Sequence, residues 1–289
     1  METEADGMAG FTPRPSRAFA SGAPAKGAMR SLWSRFRALA PVAALAVAGV
    51  LAAPTAPQAQ SGVHADARAV LGAMSAHLGG LRGFSVDYAA VDEVVTTEGQ
   101  KLQFLHSGNL TAQRPDRLHA VRRGAAGTAE LLLDGSSLVM FGRDANAYLR
   151  LPASSIATAV EAVQRLGFDA PGADLLADQP LDSTTTDITS GTHVGMTFIE
   201  GVEVHHLAFR GAEVDWQLWV TVGDRPLPLR YVIVSKSVAG APQYTLQLRN
   251  WNLAPAADPG RFVFTPPSGA RQLDPSSVTV NAIGDLVIR

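Results

Sequence analysis

The stretch "GNLTAQRPDRLHAV", residues 108–121, alternates polar and apolar residues, breaks at Arg114-Pro115 and resumes at Leu118. A proline removes a ladder donor, so it belongs at a strand end, an edge or a bulge. Two strands meeting at an Arg-Pro corner are the direct reading. The period of two continues in both directions from that corner. Upstream, "FSVDYAAV" places Phe84, Val86 and Tyr88 on one face and Ser85 and Asp87 on the other, and "KLQFLHSGNL" carries Leu102 and Phe104. Downstream, "AELLLDGSSLVMFGRDANAYLRLP" divides at Asp134-Gly135 and again at Asp144 to Asn146, both hairpin-turn chemistry. Turn counting predicts a meander of about six strands here.

Five further runs follow: "THVGMTFIEG", "VEVHHLAFRG", "VDWQLWVTVGD", "PLPLRYVIVSKS" and "PQYTLQLRNWNL". Their spacing brings the prediction to about eleven antiparallel strands. Two segments have a helical period instead. Residues 64–78 align Ala67, Val70, Leu71, Met74 and Leu78 before Gly79-Gly80; residues 154–168 have a Ser cap, Ile156, Val160, Val163 and Leu166, and Gly167 as stop. Between helix and strand, "DAPGADLLADQPLDSTTTD" is turn-rich and reads as a mobile connector with one short helical turn. The predicted fold class is mainly β with α: a strongly curved antiparallel sheet whose concave face the helices cover.

The N-terminus reads as an export signal. Arg30, Arg35 and Arg37 precede the uncharged run "ALAPVAALAVAGVLAAP", and small residues follow. That is the anatomy of a secretory signal peptide; the run, broken by Pro41 and Gly49, is short for a membrane span. The alternative is an uncleaved anchor. The expected organisation is a non-native or disordered extension over 1–28, a signal peptide over 29–60 cut between about Ala53 and Ser61, one domain over 61–275 and a tail over 276–289. The chain has no cysteine, which excludes disulfides, thiol catalysis and an acylated lipobox cysteine. No stable membrane anchor is expected after signal cleavage. Beyond residue 60 the formal charge is −5, with positive charges scattered and Arg122-Arg123 adjacent. Nucleic acid, which needs a basic stripe, is not an expected partner.

No phosphate-binding loop, nucleophile elbow, zinc-protease motif or dinucleotide fingerprint occurs. No enzyme activity, cofactor or metal is expected. His205 and His206 are neighbours that point to opposite faces of a strand; among the carboxylates, Asp87 and Asp215 lie mid-strand on polar faces. The apolar stripes remain: Phe84, Val86, Tyr88, Leu102, Phe104, Leu132, Trp216, Leu218, Tyr231, Leu246 and Leu248. They have two possible fates, a core packed on the helices or a cavity for a lipid or acyl chain.

Three segments, in order, resemble the periplasmic lipoprotein carrier family LolA. "SGNLTAQRPDRLHAV" is similar to its strand, Arg-Pro and following strand; "LLLDGSSLVMFGRDANAYLRLP" to its next hairpin; and "RFVFTPPSGA" to its closing segment, here Phe262, Phe264, Pro266, Pro267 and Gly269. Residues 62–275 resemble still more a family described as predicted periplasmic proteins, domain of unknown function 2092. The resemblance implies a half-barrel in the periplasm that binds a lipid or acylated ligand at Phe84, Val86, Tyr88, Leu102, Phe104, Trp216, Leu218, Tyr231, Leu246 and Leu248. It implies that Arg114 latches a helical lid through its donors. An envelope protein partner is expected, and a sensor of lipid or lipoprotein is the alternative role. Residues 152–190 are longer than the carrier's lid, and the strands have fewer large aromatics.

Overall fold

The computed structural model describes residues 62–168, 170–182, 187–280 and 286–288. The expected extension and signal peptide, residues 1–60, lie outside the described residues. The described chain opens with β1 (Gly62–Val63) and α1 (Ala65–Gly80). A first meander follows: β2 (Gly83–Val95), β3 (Lys101–Gln113), β4 (Arg117–Gly124), β5 (Gly127–Asp134), β6 (Ser137–Gly142) and β7 (Ala147–Pro152). After α2 (Ile156–Arg165) and a 3₁₀ turn (Ala173–Leu176) comes the second meander: β8 (Ile188–Ile199), β9 (Val202–Gly211), β10 (Val214–Thr221), β11 (Pro228–Ser235) and β12 (Gln243–Asn252). The chain ends with β13 (Arg271–Gln272), β14 (Val278–Val280) and β15 (Leu286–Ile288).

The eleven long strands expected from the alternation are β2 to β12. They form one curved, unclosed sheet because β12 pairs antiparallel with β2, joining the two meanders. Two dipeptides raise the strand count to thirteen: β1 pairs parallel with β8, and β13 parallel with β7. Both cover edges that would otherwise expose unpaired ladder groups. A two-residue strand has no periodicity to read. Its pairing is set by the neighbour, which is why the alternation did not announce it.

The register assigns faces. Phe84, Ala112, Leu118, Leu133 and Leu138 lie in one row across β2 to β6, and Val86, Leu110, Ala120, Leu131 and Met140 in the next. This inner face meets the buried stripe Ala67, Leu71, Met74 and Leu78 of α1 and Ile156, Ala159 and Val163 of α2 in a single apolar cluster. Asp66 in the first turn of α1 complements the helix dipole. Ser155 caps α2 in a reciprocal capping box with Thr158, and Gly167 ends it at φ 93°. On the second meander, Phe209 stacks on Trp216 at 4.0 Å, and Trp216 meets Tyr231 edge-on at 5.8 Å.

Leu132 departs from its expected place. It pairs across to His119 and Val139, on the outer face, while Leu131 and Leu133 point inward. Three consecutive leucines satisfy either phase of a strand, so alternation could not choose. Leu132 belongs to a second, smaller apolar layer under the C-terminal segment, where Phe262 is buried and the Phe264 ring lies 5.2 Å from Phe141 and 5.0 Å from Tyr148. The expected tail over 276–289 contributes β14 and β15, paired with each other, and Val278 joins the main core.

Because Leu78 is fully buried between α1 and the sheet, Leu78→Ala is expected to lower unfolding stability by about 2–5 kcal/mol in chemical denaturation. Leu105→Ala, at a side chain 68% exposed, is expected to stay within about 0.5 kcal/mol.

Candidate functional site

The Arg-Pro corner between β3 and β4 organises the cover over the inner face. The Arg114–Pro115 bond is cis, and the Arg114 amide is tied back to the Arg82 carbonyl at 2.8 Å. The Pro115 carbonyl accepts from the Ile156 amide at 2.9 Å, docking the first residue of α2 onto the corner. The Arg114 side chain runs the other way. Its Nη1 donates to the Leu176 carbonyl and lies 3.6 Å from the Asp178 carboxylate, while its guanidinium carbon sits 5.8 Å from the Phe84 ring centre. One dipeptide thus holds two separate parts of the segment between β7 and β8.

Arg114 is only 8% exposed, whereas Asp178 is 85% exposed. Burial pulls the guanidinium below its ordinary pKa, and the Asp178 charge opposes that shift. Its Nε and Nη2 have no hydrogen-bond partner among the described residues. An arginine fork offers five donors, and leaving buried ones unmade costs about 1–3 kcal/mol each. The contact that closes the cover is therefore a cation held with part of its hydrogen-bonding capacity unused.

Residues 170–182, the described part of the connector expected over 169–187, form a strap docked on the fold. The expected helical turn is there, at Ala173–Leu176, and Leu175 and Leu181 are buried in the core. Four elements receive the strap. Ser75 Oγ of α1 donates to the Pro180 carbonyl at 2.8 Å, the Tyr231 hydroxyl of β11 reaches Asp174 at 3.1 Å, Leu246 of β12 packs under Gly172, and Arg114 takes Leu176. Gly79 allows this approach: a Cβ there would overlap the Asp178 carbonyl oxygen. None of these partners was legible in the sequence, because a strap without periodicity carries no phase.

Of the expected ligand-contacting residues, Phe84, Val86, Trp216, Leu218, Tyr231, Leu246 and Leu248 are buried in one inner-face cluster beneath the helices and strap. Tyr88 packs against that cluster. Phe104 and Leu102 follow on the same face of β3 towards its open end, where Phe104 is half-buried and Leu102 37% exposed. The same end is polar in places. Tyr88 donates to the Val121 carbonyl at 3.1 Å, and His106 Nε2 lies 3.1 Å from Asp92. Burial pushes the Tyr88 phenol up to about 12 and raises Tyr244 as well, Asp92 adding to the latter shift.

The other singled-out groups lie elsewhere. His205 pairs with His193 at 3.1 Å, while His206, on the opposite face, stacks on Trp219 and bonds Gln217. Asp87 accepts from Asn250, and Asp215 pairs with Lys236 at 2.7 Å. No group of three or more His, Cys, Asp or Glu is arranged for a metal ion among the described residues. A cavity of about 530 Å³ opens on the outer face by Glu130, Phe141, Arg143 and Phe264. Burial would raise the Glu130 carboxyl, but hydrogen bonds from Arg143 and His119 hold it below its usual range.

An open, curved sheet with helices and a strap over its apolar face defines a half-barrel fold. Residues 67–274 match the family described as "Predicted periplasmic protein (DUF2092)", and the chain belongs to that family. A comparison with curated proteins gives no match. Among solved structures, the chain is similar to LprF from Mycobacterium bovis (18% identity, 72% of this chain and 98% of that one, TM-score 0.45). It is also similar to the lipoprotein LppX from Mycobacterium tuberculosis (11% identity, 66% and 97%, TM-score 0.44). A LolA superfamily protein from Nitrosomonas europaea matches at 14% identity, over 68% and 97%, with TM-score 0.37. Among the described residues, no helix is long and apolar enough to cross a membrane.

Gly79→Ala tests the strap's docking. In a free helix alanine is favoured over glycine by about 1 kcal/mol; here the added methyl overlaps the strap backbone. Amide exchange over 170–182 is expected to accelerate by about tenfold or more while β5 and β6 keep their protection. A Gly79→Ala protein with unchanged exchange in the strap would contradict the packing described.

Proposed function

We propose that the protein is a periplasmic, non-catalytic binding protein that holds a lipid or acylated ligand against the inner face of its half-barrel. Its ligand-contacting residues are Phe84, Val86, Tyr88, Leu102, Phe104, Trp216, Leu218, Tyr231, Leu246 and Leu248. The observation that carries this reading is the Arg114 latch. A permanently packed core gains little from a buried cation, whose desolvation offsets much of what its hydrogen bonds contribute. A cover that must open does have a use for one, because the unmade bonds keep the closed state from being too deep.

The cycle has two states. With the strap closed, Arg114 holds Leu176 and Asp178, and the apolar rows of the sheet are packed under α1, α2 and the strap. With the strap lifted, those rows become a trough that an acyl chain can fill at about 0.8 kcal/mol per buried methylene. The ligand then replaces the contacts the helices and strap made. No bond is made or broken in the ligand, and the work is transport or storage.

Arg114→Leu keeps apolar bulk and deletes the donors. Hydrogen bonds to charged groups contribute about 1.5–3 kcal/mol, so the closed population is expected to fall at least about tenfold. Uptake of an apolar fluorescent probe should accelerate, and exchange over 170–182 should rise, with a modest loss of global stability. Lysine should restore little, because a point charge does not reproduce the planar fork. Arg123→Leu, at an exposed position near the end of β4, is the control and should change neither. Identical behaviour of Arg114→Leu and Arg123→Leu would remove the latch from the account.

A further inference from the structure

The inner face is not uniformly apolar. From the Arg114 end it runs through Phe84 and Val86 on β2 to Tyr88, Ala90 and Asp92. On the neighbouring strands Tyr88 aligns with Gly108 and then Arg122, Asp92 with Tyr244, and Ala90 with His106. An apolar trough thus ends in a patch of hydrogen-bonding side chains near the exposed end of β3.

That patch contains one group left incomplete. His106 is 10% exposed, and its Nε2 lies 3.1 Å from Asp92 Oδ2. An ionised carboxylate only accepts, so Nε2 carries the proton and, in the neutral ring, Nδ1 is a bare acceptor. Nδ1 is buried and has no partner among the described residues. The ring cannot turn to solve this without giving up Asp92, and Tyr88 faces it edge-on at 5.9 Å with its own hydroxyl committed to Val121. Glycine lets the strands approach closely at the patch: a Cβ on Gly124 would lie 3.2 Å from His106 Cβ and 3.5 Å from Arg122 Nη1, so a side chain there would crowd it. Solvent reaches the patch beside Asp92, whose side chain is 24% exposed.

We propose that this patch is a head-group subsite, and that the ligand is an amphiphile whose polar end presents a hydroxyl or amide donor to His106 Nδ1. The inference rests on the lipid-binding reading above and adds the chemistry of the ligand's polar end. The chain lies along Phe84, Val86 and their row-mates towards Arg114, and the head lies at His106 where the trough opens. Asp92 fixes the imidazole tautomer, so the site asks for a donor. A carboxylate or other acceptor-only head meets the lone pair of Nδ1 and the nearby Asp92 charge, and is disfavoured.

Three probes of equal chain length, a monoacylglycerol, a fatty-acid anion and an n-alkane, separate the claims when titrated into the purified protein in mildly alkaline buffer. The monoacylglycerol is expected to bind about tenfold more tightly than the alkane, the effect of one good hydrogen bond. His106→Phe is expected to abolish that difference, and His106→Asn, which restores an acceptor, to recover part of it. Equal binding of monoacylglycerol and alkane by the wild type overturns the subsite and leaves the lipid-binding reading standing. Preference for the fatty-acid anion overturns the donor assignment and points instead to Arg122. Failure of all three probes to bind overturns the lipid-binding reading and the subsite with it.

Discussion

An antiparallel sheet that curves without closing presents an apolar concave face, and water must be kept from it by something other than the sheet. Two helices and a strap do this, and the Arg114-Pro115 corner holds α2 and the strap. The Pro115 carbonyl receives the start of α2 and the Arg114 guanidinium receives the strap. Both groups come from the tight connection between two paired strands, β3 and β4. The parts they hold also pack into the core, α2 through Ile156, Ala159 and Val163 and the strap through Leu175 and Leu181, and the strap has further contacts at Ser75, Gly79, Tyr231 and Leu246.

The two faces of the sheet divide the work. Outside, Leu132, Phe141, Phe262 and Phe264 form a small fixed layer that pins the C-terminal segment onto the first meander. Inside, the larger layer is built from stripes that meet helices rather than a second sheet, so it can be uncovered without breaking any strand ladder. The inner face also changes character along its length, from Phe84 and Val86 at the latch to His106, Asp92 and Arg122 at the far end. An amphiphile would find both halves of its chemistry in one trough.

Much of the frame could be read from the residues. Alternation, clearest in β2, β3 and β9 to β12, together with turn chemistry predicted about eleven strands, which correspond to β2 to β12, and helical spacing located α1 and α2. Where the phase was ambiguous the reading failed for a definable reason. The run Leu131-Leu132-Leu133 fits either face, and only pairing with β4 and β6 sends Leu132 outward. The site divided along the same line. Arg114 stood out because a charge before a proline at a strand break needs an explanation, and seven of the ten expected ligand-contacting side chains lie in the covered inner face. The strap's partners, the edge dipeptides and the His106–Asp92 pair depend on which distant strands the fold brings together. No local pattern encodes that.

The central claim is that ligand reaches the inner face only when the strap lifts from α1. The chain has no cysteine of its own, so a single engineered pair can clamp the strap without competing thiols. Ser75→Cys with Pro180→Cys puts one thiol on α1 and one on the strap, at two residues already brought together by the hydrogen bond from the Ser75 hydroxyl to the Pro180 carbonyl at 2.8 Å. Probe uptake measured in the oxidised and then the reduced protein gives the decisive comparison. The expected result is uptake slowed by about tenfold or more when oxidised and restored on reduction, as for a gate that must open before binding. Equal uptake in both redox states, with the disulfide confirmed by mass, would mean that ligand does not enter beneath the strap and would contradict the account.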